Sequence, residues 1–125
     1  MTRPVRVIRF VVVSLAGAAA FVAVAPNGAG GAGDPQHETV KVHHNYYSPA
    51  QLTVNNRSTV TWEWPEDAGE THDVVLHRGP SGAKRFASDR AAAAFTYRRT
   101  LTRPGTYSLV CTHHDGMTMT IEVRR

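Results

Sequence analysis

Seven residues near the end of the chain, Cys111-Thr-His-His-Asp-Gly-Met117, bring a thiol, an imidazole and a thioether within reach of one ion if the backbone bends between them. Asp115-Gly116 is a turn signal where that bend is needed. Two histidines, one cysteine and a weak, distant methionine make the trigonal donor set that favours copper. Thiolate and thioether suit Cu(I), while imidazole suits both Cu(I) and Cu(II). The seven residues supply only one imidazole of the pair, at His114. His72 is the candidate for the second. It opens a strand-like run after the loop 66–71 and shares the parity of Val74 and Leu76, so its ring is expected to point inward, toward the face that carries Cys111.

The elements that must position these residues are short strands. From Thr39 the apolar pattern has a period of two: Val40 and Val42, then Leu52 and Val54, then Val60, Trp62 and Trp64, each alternating with polar residues. Turn clusters at 47–49 and 55–58 and an acidic loop at 65–70 separate them. A further strand is expected over 72–78. After a break at 79–82, Ala91 to Ala94 is the one stretch of helix-friendly composition and could form a single helical turn. Beyond the turn at 103–105, Tyr107, Leu109 and Cys111 share a strand face, and Met119, Ile121 and Val123 share another. Seven or eight strands without room for crossover helices predict an all-β antiparallel sandwich of Greek-key type.

The blocks Tyr-Ser-Pro-Ala-Gln-Leu-Thr-Val (47–54), Thr-Val-Thr-Trp (59–62), His-Asp-Val-Val (72–75) and Gly-Thr-Tyr-Ser-Leu-Val-Cys-Thr-His-His-Asp-Gly-Met (105–117) resemble, in order and spacing, those of the plastocyanin and amicyanin group of cupredoxins. The likeness covers residues 39–123. It implies a β-sandwich holding one type 1 copper ion near one end, in a small exported protein that carries single electrons. It also implies that His72, Cys111 and His114 are equatorial ligands and Met117 the axial one. The two residues between His114 and Met117 resemble the short amicyanin loop; a plastocyanin-type loop of four would select Met119. Strand parity favours Met117, because counting four and six residues on gives Ile121 and Val123, an apolar face for the closing strand. His113 departs from the family pattern, which often has proline there, and could be a rival ligand. Met119 stands where a glycine is common.

The chain has 125 residues and a formal net charge of +4, but Arg3, Arg6 and Arg9 precede an uncharged run from Phe10 to Ala25. That layout is a secretory signal, or an uncleaved anchor, over residues 1–25; sixteen uncharged residues fall short of the roughly 20 that span a bilayer. Residues 26–36 are rich in Gly, Ala and Pro and read as a flexible linker, leaving a copper-binding domain at 37–125. From Gly33 onward 11 Lys/Arg face 10 Asp/Glu, so the domain is near neutral and offers no nucleic-acid surface. Export, to the periplasm, the cell surface or outside, leaves the lone Cys111 best explained as a ligand.

Other histidines do not extend the site. His43 and His44 point to opposite faces, and His77 has the opposite parity to His72; with His37 they are expected to be solvated. Asp73 is expected to brace the two ligand loops by accepting backbone N–H bonds, and Trp62 and Trp64 to be core. No His-x-His occurs in the chain, which argues against the additional copper cluster of an oxidase. The expected function is electron transfer by a monomer between redox proteins, with no enzymatic activity. A copper carrier or sensor using the same residues is the alternative.

Overall fold

The structure is a computed structural model that describes residues 32–125. The expected signal or anchor, 1–25, and the linker up to residue 31 lie outside the described residues. Eight strands are present: β1 His37–Val42, β2 Tyr47–Ser48, β3 Gln51–Asn55, β4 Thr59–Trp64, β5 Val75–Arg78, β6 Phe95–Thr100, β7 Gly105–Val110 and β8 Thr118–Arg124. They form two four-stranded sheets, ordered β2-β1-β4-β6 and β3-β8-β7-β5.

The period-two pattern fixes which side chains are shared between the sheets. In β4 Val60, Trp62 and Trp64 are buried, and in β8 Met119, Ile121 and Val123 are. Trp62 packs at the centre, its ring 5.9 Å from Tyr97 and 6.4 Å from Phe86. The fold is the expected all-β sandwich, but each sheet contains one parallel pair, β1 with β4 and β3 with β8. Parallel neighbours need a long crossover. Between β1 and β4 the chain makes it with a strand of the other sheet, β3, in place of a helix.

Two local expectations are corrected. The strand expected over 72–78 begins only at Val75, because residues 72–76 pair first with the segment 86–91: Ala91 N–H donates to His72 O at 3.0 Å and Leu76 N–H to Phe86 O at 3.0 Å. Ala91 to Ala94 forms no helical turn. Four residues are too few to offset helix nucleation, and their backbone is already used: Ala91 bridges His72 and Ala94 N–H reaches Pro65 O at 3.4 Å.

Strand direction divides the molecule into two poles. β4 and β7 end at one pole, at Trp64 and Val110, where the loops 43–46, 65–74 and 111–117 gather. At the opposite pole β1 begins and β8 ends. There Asn55 holds the entering chain, its Nδ2 donating to Asp34 O at 2.8 Å while its backbone N–H donates to Gln36 Oε1 at 2.9 Å. Exposed Glu66, Asp67, Glu70 and Asp115 lie in the loops of the first pole, and exposed Arg57, Lys84, Arg103 and Arg124 lie toward the second.

Candidate metal centre

β7 delivers Cys111 one residue past its last paired position, with its side chain on the buried face continued from Tyr107 and Leu109. The chain then turns through 112–116 and closes the loop on itself: Met117 N–H donates to His114 O at 3.2 Å, and Cys111 N–H donates to Met117 O at 2.9 Å. Gly116 takes a positive φ of 79° in this turn, a conformation that glycine adopts without steric cost.

This loop swings His114 over Cys111. His114 Nδ1 lies 3.7 Å from Cys111 Sγ, and His72 Nδ1 lies 3.9 Å from the same sulfur. One ligand atom from each of His72, Cys111 and His114 falls within 4.8 Å of the others, the single such group among the described residues. The two imidazoles face each other with ring centres 4.6 Å apart. A soft thiolate with two imidazoles on one small volume suits copper, and the group fits that ion by donor chemistry. His72 and Cys111 are buried and His114 half-buried. Burial, with a smaller contribution from His114, holds His72 below the ordinary imidazole range despite the Ala68 carbonyl, which acts the other way. That direction favours the neutral ring, the form a metal requires.

Met117 is buried at the C-terminal foot of the loop, whereas Met119 is a core residue of β8 opposite Leu109 of β7. His113 is not part of the group; its Nε2 lies 4.0 Å from Asp73 Oδ2. His37, His43, His44 and His77 are outside the group.

Asp73 ties the two halves of the site together as expected. Its buried carboxylate accepts Thr112 N–H at 2.7 Å and the Thr112 hydroxyl at 2.5 Å, linking the residue after His72 to the residue after Cys111. Tyr47 adds a third strut, its hydroxyl donating to Asp73 O at 2.5 Å; burial keeps that phenol protonated.

Two partners of the imidazoles were not legible from the sequence. His72 Nε2 faces Ala68 O at 3.4 Å, and His114 Nε2 meets Glu70 Oε2 at 2.6 Å. The only signal for Glu70 was its place in an acidic loop just before His72. The His114 hydrogen bond, and less strongly His44, hold the Glu70 carboxyl below its usual range.

Residues 36–124 match a family model described as copper binding proteins, plastocyanin/azurin family. Among curated proteins the chain is similar to halocyanin of Natronomonas pharaonis, with 38% identity over 74 residues; this covers 58% of the chain and 44% of halocyanin. The chain thus aligns with less than half of that relative's length. Among solved structures it resembles a reduced Cu(I) form of an amicyanin mutant at 28% identity, covering 78% of this chain and 87% of that one with a TM-score of 0.61. It also resembles a copper-containing nitrite reductase from Thermus scotoductus at 26% identity and a TM-score of 0.59, covering 82% of this chain but 25% of that one.

Proposed function

Because the chain belongs to the plastocyanin/azurin family of copper-binding proteins, we propose that it is an exported, monomeric carrier of single electrons between redox proteins. Its cofactor is one copper ion, for which His72, Cys111 and His114 are the equatorial ligands in this reading and Met117 the axial one. The observation that carries the reading is the convergence of one thiol and two imidazoles within 4.8 Å at the end of a packed sandwich. Copper in such a site exchanges one electron between its Cu(I) and Cu(II) states.

The chain's own residues do the rest. Cys111 and His72 are held from buried positions, so little of the site is open to water or to a substrate molecule. Asp73 joins the two ligand-bearing segments and Tyr47 holds Asp73 in place, which favours one geometry in both oxidation states over opening to release the ion. That rigidity supports electron transfer over copper delivery. His114 is the one member of the group with part of its ring near the surface, which makes it the expected port for electrons. Export rests on the basic and then apolar layout of residues 1–25.

The test is the visible spectrum of purified protein loaded with Cu(II). Intense blue absorption from a copper–thiolate bond is expected, and Cys111→Ser should abolish it. Copper uptake with only a faint ligand-field band would rule out the type 1 assignment.

A further inference from the structure

We propose that Ala68-Gly69-Glu70 is a two-armed acceptor that aims both imidazoles, with Glu70 the positioning residue for His114. The inference rests on the copper reading above and adds to it a residue that sets the properties of the site without touching the metal.

Both rings present Nδ1 toward the Cys111 sulfur, at 3.9 Å for His72 and 3.7 Å for His114. A neutral imidazole carries its proton on one nitrogen, and the hydrogen bond made there leaves the lone pair on the other. The Nε2 acceptors come from neighbours in the chain: Ala68 O for His72 at 3.4 Å and Glu70 Oε2 for His114 at 2.6 Å. Two acceptors so close in sequence reach different rings because the backbone reverses between them, at Gly69, whose φ is +89°. A side chain there would be strained, and its Cβ would lie 2.8 Å from His44 Nδ1. Ala68 anchors the turn, being buried with its N–H donating to Pro65 O at 3.2 Å.

The arms differ in charge. The buried ring faces a neutral carbonyl; the ring near the surface faces an exposed carboxylate. A carboxylate on the distal N–H raises the basicity of a ligating imidazole, and removing such a partner typically costs about 10–100-fold in metal affinity. A more basic imidazole favours Cu(II) over the softer Cu(I), so Glu70 lowers the reduction potential through His114.

The experiment uses the copper-loaded full chain, with reduction potentials measured for the wild type, Glu70→Gln, Glu70→Ala, Glu66→Gln and Asp67→Asn. The last two remove a charge from the same loop without a hydrogen bond to His114. Proton NMR of the Cu(I) protein reads the His114 Nε2–H directly, as a signal in slow exchange with solvent. Glu70→Gln keeps an acceptor, so the signal should persist while the preference for Cu(II) falls about tenfold, equivalent to about 59 mV upward for one electron. Glu70→Ala should lose the signal and raise the potential at least as much, and the two control variants should shift it several-fold less. Gly69→Ala should reproduce the Glu70→Ala signature with Glu70 still present. Equal shifts in Glu70→Gln and the controls would reduce Glu70 to one charge among several. A Glu70→Ala protein that stays blue with its potential and Nε2–H exchange unchanged would overturn the proposal outright. Loss of blue colour in the wild type itself would instead sink the copper reading beneath it.

Discussion

Replacing Asp73 by alanine is expected to loosen the site from outside the ligand set. Its carboxylate accepts two hydrogen bonds from Thr112, at 2.7 Å and 2.5 Å, with its own side chain 6% exposed. Hydrogen bonds to a charged group contribute about 1.5–3 kcal/mol each. Thr112 is exposed, so water can satisfy its freed N–H and hydroxyl in the variant, which places the expected loss in the lower part of the combined range, at about 3–4 kcal/mol. For a domain of this size that is roughly 10–30 °C in melting temperature. Asp73→Asn tests the same reasoning more finely. Its amide oxygen still accepts Thr112 N–H and its NH2 can donate to the Thr112 hydroxyl, so only the charge assistance is lost, at about 1 kcal/mol. Urea unfolding followed by the emission of buried Trp62 and Trp64 measures both. An alanine variant within 1 kcal/mol of the wild type, or an asparagine variant as unstable as the alanine one, would refute the view that Asp73 is the brace between the ligand loops.

Met117→Gln should shift the potential and the visible spectrum, while Met119→Ala should leave both in place and cost about 2–5 kcal/mol as a cavity in the core; the reverse pattern in spectra and unfolding curves would move the axial position to Met119. Gly116→Ala should destabilise by about 1–2 kcal/mol through its positive φ alone, since a Cβ there meets nothing within 4 Å; thermal unfolding that matches the wild type would show that the loop relaxes to another conformation.

Part of the site was legible because side chains alternate along a strand. Cys111 continues the buried face of Tyr107 and Leu109, and in β5 Leu76 is buried while His77 is exposed; His72 is buried as expected, but it precedes β5 and its neighbour Asp73 is buried too, so alternation does not account for it. The Asp73 brace followed from its neighbour being a ligand candidate. What parity does not encode is which strands lie side by side and in which direction, so the β1–β4 and β3–β8 parallel pairs were not foreseen. The same limit hid Glu70. It is 44 residues from His114 in sequence, and the loop that brings them together turns at Gly69, whose conformation no pattern announces. The Ala91 to Ala94 expectation failed because composition weighs local preference alone, and here the backbone is taken by His72 and Pro65. Net charge says nothing of placement either: 11 basic against 10 acidic residues is near neutral, yet the loops around the site carry exposed Glu66, Asp67, Glu70 and Asp115.

The pole at which Asn55 grips the entering chain has a mechanical consequence. Strands of six residues at about 3.3 Å per residue set that attachment roughly 20 Å behind His114. Anything fastened to residues before Asp34 therefore holds the domain by its heel, with His114 facing away. Were the domain tethered to a surface through that end, shortening residues 26–33 step by step is expected to slow electron exchange with a partner on the same surface and to spare exchange with one that approaches from the opposite side.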